Sequence, residues 1–83
     1  MAYVTLETAA AGQYGKLPPR IKSRVTGIIE RLADWPDVSG AKPLRSNLAG
    51  CYRIRTGDYR VQFRVAGNEV IIDKIGHRDG FYE

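Results

Sequence analysis

The sequence predicts an α+β domain: an N-terminal strand and two helices packed on one face of an antiparallel sheet, in the order β-α-α-β-β-β. Three observations carry this reading. Ile21, Val25, Ile28, Ile29 and Leu32 form an apolar stripe at helical spacing. Three later segments, Tyr52–Arg55, Tyr59–Val65 and Val70–Ile75, alternate apolar and polar residues with the period of two that strands require. Helical patterns come first and strands follow, which indicates segregated layers rather than βαβ repeats. The 83 residues fit one small domain, taken as 1–83.

Each element has a local cause. Ala2 to Leu6 reads as a first strand, with aromatic and β-branched residues in alternation. Residues 7–16 are expected to be helical, although Gly12 and Gly15 each weaken that helix by roughly 1 kcal/mol relative to alanine. Pro18-Pro19 interrupts it, and either proline suits the first turn of the next helix. That helix carries the apolar stripe inward and Lys22, Arg24, Glu30 and Arg31 outward. Trp35-Pro36 ends it, because a residue before proline avoids the α region. Asp37 to Asn47 is rich in turn formers and is expected to be a loop.

Turn positions set the strand register. Gly67-Asn68 suits a two-residue hairpin loop, which pairs Ala66 with Glu69, Val65 with Val70 and Phe63 with Ile72. Continued without interruption, it places Arg60 across from Ile75. A Gly57-Asp58 loop pairs Arg55 with Arg60, Arg53 with Gln62 and Tyr52 with Phe63. One face then holds Tyr52, Ile54, Tyr59, Val61, Phe63, Val65, Val70 and Ile72. The other holds Arg53, Arg55, Arg60, Gln62, Arg64, Asp73 and, past the strand end, His77, with Ile71 and Ile75 as apolar exceptions.

The second face has two readings. A solvated charged face is common on antiparallel sheets. Lysine and glutamate would serve that purpose equally, whereas here every cation is arginine and only Asp73 offers neutralisation. Arginine's planar fork matches phosphate in a bidentate way, so anion binding is the favoured reading. Nucleic acid is the natural partner for a chain of net charge +4. His77 and Arg78, with Tyr82 four residues on, supply groups that move protons and stabilise charge at a phosphodiester. Phe81 and Tyr82 also read as plain closure of the sheet end, and Tyr82 equally as a stacking platform for a base.

Other chemistries find little support. The single cysteine, Cys51, forms no internal disulfide and is expected to pack as a small apolar residue. No Cys/His cluster suggests zinc, so neither metal nor other cofactor is expected. There is no apolar run of 18 residues and no charged-then-apolar leader, so the expected location is a reducing cytoplasm and not a membrane.

At these residues the chain resembles the RelE/ParE superfamily of toxins from bacterial type II toxin–antitoxin systems, over nearly its whole length. The resemblance rests on Ala41-Lys42-Pro43-Leu44, Tyr52-Arg53-Ile54-Arg55, Gly57-Asp58-Tyr59-Arg60-Val61 and Gly76-His77-Arg78 with Tyr82. It implies a metal-independent endonuclease that cuts messenger RNA in the ribosomal A site by attack of the ribose 2′-hydroxyl on the adjacent phosphate. It also implies an acidic, RelB-like antitoxin as partner in a hetero-oligomer. In the RelE branch, basic residues at the positions of Arg53, Arg55, Arg60 and Arg78, with a tyrosine matching Tyr82, hold and cleave the message.

One departure matters. RelE toxins carry lysines at the positions of Arg53 and Arg55, and arginine is a poor base, its pKa lying above about 12. The expected roles are therefore Arg60 and Arg78 stabilising the phosphorane, Arg53 and Arg55 orienting the phosphate, and Arg64 binding RNA nearby. His77 is base or acid, and Tyr82 stacks or relays a proton. Two other classes stay open. One is a ParE-like inhibitor of DNA gyrase that binds without cutting RNA, and the other is a non-toxic binding module.

Overall fold

The computed structural model describes residues 1–44 and 50–79. Strand β1 (Tyr3–Leu6) leads into α1 (Thr8–Gly15) and α2 (Pro19–Leu32). Then come β2 (Lys42–Pro43), β3 (Cys51–Thr56), β4 (Tyr59–Ala66) and β5 (Glu69–His77). Among the described residues the strands form one sheet in the order β1-β5-β4-β3-β2. All pairings are antiparallel except β1 with β5. The α+β class and the chain order are as the sequence predicts. The first strand joins the sheet as an edge strand, parallel to β5.

Pro19 opens α2, where its missing N–H costs nothing because the first amides of a helix have no acceptor. The stripe then behaves as its spacing requires. Val25, Ile28 and Leu32 are buried, while Ile21 and Ile29 pack at the margin of the same core. Across the interface lie Ile54, Val61, Phe63, Val70, Ile72 and Ile75, all buried. Trp35, just past the end of α2, closes one side of this core. Its ring meets Tyr52 at 4.7 Å and Phe63 at 5.3 Å, both edge to face.

Both hairpins use two-residue loops. Gly57 has φ of 58° and Gly67 has φ of 59°, the left-handed conformation that tight hairpin turns demand and glycine adopts freely. Thr56 therefore faces Tyr59, and Ala66 faces Glu69, in the registers expected from the turns.

That register does not run unbroken. Phe63 faces Ile72, but Gln62 faces Lys74, so Asp73 is an extra residue on β5. A bulge of this kind shifts all later residues by one position and so reverses the face each presents. Arg60 therefore lies across from Gly76, not Ile75. Ile75 turns into the core opposite Val61 and is 2% exposed, so it is no exception on the charged face. His77 faces Tyr59 and leaves the arginine face for the same reason.

The free edge of β5 is also managed. β1 stops pairing at Ile72. The amide of Glu7 donates to the Ile72 carbonyl, and the Ile75 amide donates to Gln13 Oε1 of α1 at 2.8 Å. A helical side chain thus satisfies a strand group that would otherwise be unpaired. The segment expected to be loop contains the short β2, which pairs Lys42 with Arg53 and Pro43 with Tyr52.

Phe63 joins the aromatic cluster to the sheet core and has no exposed surface. Phe63→Ala is expected to lower stability by about 3–5 kcal/mol, as large-to-small changes in a packed core do. Urea unfolding measures this, and a loss below about 1 kcal/mol would contradict the packing described.

Candidate nucleic-acid interface

Because Val61 and Phe63 point into the core, their neighbours Arg60, Gln62 and Arg64 must point away from it. On β3 the same rule sends Ile54 inward and Arg53 and Arg55 outward. The pairings Arg55↔Arg60 and Arg53↔Gln62 gather three guanidinium groups into one patch. Directly paired strand residues have Cβ atoms about 4.5–5.5 Å apart, so Arg55 and Arg60 repel one another. Neither makes an ion pair with any described residue, and the Arg60 Nε is buried without a hydrogen-bond partner.

Two cations join this patch that the sequence reading missed. Lys42 on β2 pairs with Arg53, and Lys74 of the bulge pairs with Gln62. The signal for Lys42 was present, since a residue before proline is biased to extended backbone. Lys74 depends on the bulge, which left no mark in the residue pattern.

Arg64 behaves differently from its neighbours. Its Nη1 donates to Asp73 Oδ1 at 3.0 Å and its Nη2 to Glu7 Oε1 at 2.8 Å. The expected RNA-binding role thus meets a guanidinium already committed to two carboxylates, one on the bulge and one at the start of α1. Burial pushes the Asp73 carboxyl above its ordinary pKa of 3.8. Arg64 pulls it back, and the charge of Glu7 pushes it further up.

The end of β5 carries the remaining groups. The Arg78 amide donates to the Asp58 carbonyl at 2.6 Å, tying this segment to the β3–β4 turn. Arg78 Nε lies 3.8 Å from Asp58 Oδ1 and 3.9 Å from Asp79 Oδ1. His77 sits edge-on to Tyr59, with ring centroids 5.3 Å apart. Its Nδ1 accepts the Asp79 amide at 3.1 Å, which leaves the proton of the neutral ring on Nε2. That Nε2 is 4.0 Å from Asp58 Oδ2. Register places His77 on the Tyr59 side of the sheet, so it approaches the arginine patch only past the strand end, beside Arg78. Tyr82 lies outside the described residues.

Cys51 is a half-buried free thiol. Among the described residues, no group of three His, Cys, Asp or Glu side chains is placed to hold a metal ion. No helix among them is long and apolar enough to cross a membrane.

The order of elements and the arginine-bearing sheet face fit a toxin of the RelE/ParE class. Residues 6–80 match the ParE toxin family of type II toxin–antitoxin systems (parDE), and the chain belongs to that superfamily. Toxin RelG of Mycobacterium tuberculosis is 33% identical over 81 residues, covering 95% of this chain and 93% of RelG. The crystal structure of the M. tuberculosis toxin–antitoxin complex RelBE2 contains a chain that is 33% identical with a TM-score of 0.78. The match covers 93% of this chain and 98% of that one. The intact E. coli RelBE complex matches in fold, with a TM-score of 0.79 at 18% identity, over 93% of this chain and 96% of that one.

Three outcomes follow from the electrostatics. Arg55→Thr removes a like-charge pair and installs a good strand former, so it should stabilise the free protein by about 0.2–1 kcal/mol in urea unfolding. A destabilised Arg55→Thr protein would contradict the repulsion. Because its folded pKa is raised, Asp73 binds its proton more readily in the native state. Its contribution to stability is therefore present at low pH and lost as pH rises from about 3.8 through the folded value. Relative to Asp73→Asn, wild-type stability should fall across that window. Arg64→Ala should move the Asp73 titration, followed by carboxyl NMR, to still higher pH.

Proposed function

We propose that the protein is the toxin of a type II toxin–antitoxin pair and acts as a metal-independent endoribonuclease on messenger RNA, in the ribosomal A site. The observation that carries this is the Arg55–Arg60 pair, two adjacent like charges without a counterion among the described residues. A phosphodiester laid across them relieves the repulsion and accepts their bidentate donors.

In this reading Arg53 and Arg55 orient the phosphate, while Arg60 and Arg78 stabilise the charge that builds on its equatorial oxygens. The ribose 2′-oxygen attacks phosphorus, and the bond to the 5′-oxygen breaks. The products are a 2′,3′-cyclic phosphate and a 5′-hydroxyl. The acid is assigned to His77, which approaches the patch past the strand end beside Arg78; its imidazolium, formed with loss of the Nδ1 hydrogen bond from the Asp79 amide, gives a proton to the leaving 5′-oxygen. Proton removal from the 2′-hydroxyl is assigned to Tyr82, the position the RelE resemblance gives to the tyrosine. Arg64 is assigned to the scaffold, since both of its ion pairs are internal.

The partner is an acidic, RelB-like antitoxin in a hetero-oligomer. Support comes from the RelBE complexes that share this fold and from the net charge of +4. The match to a family described by parDE favours one second reading, a toxin that inhibits DNA gyrase by binding without cutting RNA.

Primer-extension mapping of messages after brief induction separates the two. The proposal expects internal cuts with 5′-hydroxyl ends. It expects Arg78→Ala to abolish both cleavage and growth inhibition while the protein stays folded by circular dichroism. Intact messages with DNA breaks would support the gyrase reading, and a folded, fully toxic Arg78→Ala protein would sink the site.

A further inference from the structure

A second basic feature lies around the β3 edge from the arginine patch. It is an open cleft of about 570 Å3 between α2 and the end of β3. Its floor is Ile28, which is buried, with half-buried Gly27 and Thr56 beside it. Exposed Arg24, Arg31 and Arg55 stand over that floor, against one carboxylate, Glu30. Arg24 reaches the β3–β4 turn, with Nη1 3.7 Å from where a Cβ of Gly57 would stand. Arg24, Arg31 and Arg55 make no ion pair with a described residue.

We infer that this cleft is a binding subsite for single-stranded RNA flanking the scissile linkage, with the sugar-phosphate backbone on Arg24 and Arg31 and a base or ribose on the apolar floor. The inference rests on the endonuclease reading and extends it to a stretch of the strand beyond the cut. Continuity is the main argument. Arg55 belongs both to the cross-strand pair on the sheet and to the cleft, so one strand passes from one to the other without leaving positive charge. Spacing is the second. Arg24 and Arg31 are two helical turns apart on one face of α2, about 10 Å along the axis, so they suit successive points on a polyanion. The third is room. A Cβ added at Gly27 would meet nothing within 4 Å. This glycine sits inside a helix, where it is worth about 1 kcal/mol less than alanine, and nothing it packs against requires it.

The test uses the full chain and a mixed-sequence single-stranded RNA of about 12 nucleotides, 2′-O-methylated throughout so that 2′-hydroxyl attack is blocked. Fluorescence anisotropy is followed across a salt series starting near about 50 mM. Replacing Arg24 and Arg31 together by glutamine should weaken binding about tenfold. It should also reduce the slope of log affinity against log salt by about 1.4, the value for two lost contacts on a single strand. Gly27→Leu puts apolar bulk on the floor from a Cβ that meets no neighbour and favours the helix, so it should weaken binding severalfold with little change in slope. Circular dichroism confirms folding of each variant.

Wild-type affinity and slope in both variants would overturn the inference. So would absence of wild-type binding at the lowest salt, or loss of a polyglutamate peptide by the variants with RNA binding intact. The last result would make the cleft a protein-docking site. The two levels fail separately. Message cleavage that persists while the variants bind RNA normally removes the cleft and spares the endonuclease. Variants that weaken RNA binding in a protein that leaves messages intact in the cell do the reverse.

Discussion

Burial of Val61 and Phe63 beneath α2 forces Arg60, Gln62 and Arg64 to the opposite side of β4, because adjacent strand residues point opposite ways. β4 lies at the centre of the sheet and pairs along its length with β3 and β5. Its register therefore passes to both neighbours. On β3 it fixes Arg53 and Arg55 beside Gln62 and Arg60. On β5 it holds until Asp73, where one extra residue reverses the pattern. The site thus follows from a packing constraint on two buried side chains and one interruption of a ladder.

That interruption divides the charged face in two. At one end, Asp73 and Glu7 enclose Arg64, and its charge is spent on joining β5, β4 and the start of α1. Asp73 sits buried enough that desolvation outweighs the pull of its arginine, so the ion pair specifies geometry more than it adds stability. At the other end, Arg55 and Arg60 face one another across the ladder with Gly76 on the far side of Arg60. No carboxylate among the described residues neutralises them. A surface meant only for solubility would intersperse signs; a repulsive pair of arginines on paired strands is what the proposed anion site requires.

Much of this was legible in the residues. The stripe from Ile21 to Leu32 could only be a helix laid on a core, and glycines at 57 and 67 fixed two hairpin registers that the structure reproduces. The Arg55–Arg60 and Arg53–Gln62 pairs followed by counting. What could not be read was non-local or compositionally silent. The Asp73 bulge depends on how Ile75 settles opposite Val61, and nothing in the local alternation announces it. Moving Ile75 inward and His77 off the arginine face both follow from that one residue. The parallel docking of β1 on β5 joins distant segments, and β2 is two residues long, too short for a periodic signal. The Lys42 and Lys74 contributions were hidden for these same reasons. Arg64 was placed on the correct face, but its partner Glu7 lies 57 positions away and no spacing rule pairs them.

The central claim of the proposal is that Arg55 and Arg60, which have no counterion among the described residues, receive a phosphodiester, while Arg64 does not. The side-chain Nε–Hε signals of the arginines in heteronuclear NMR report this directly during titration with a non-cleavable RNA. The account predicts large shifts at Arg55 and Arg60 and little change at Arg64. Shifts at Arg64 with Arg55 and Arg60 unmoved would contradict it.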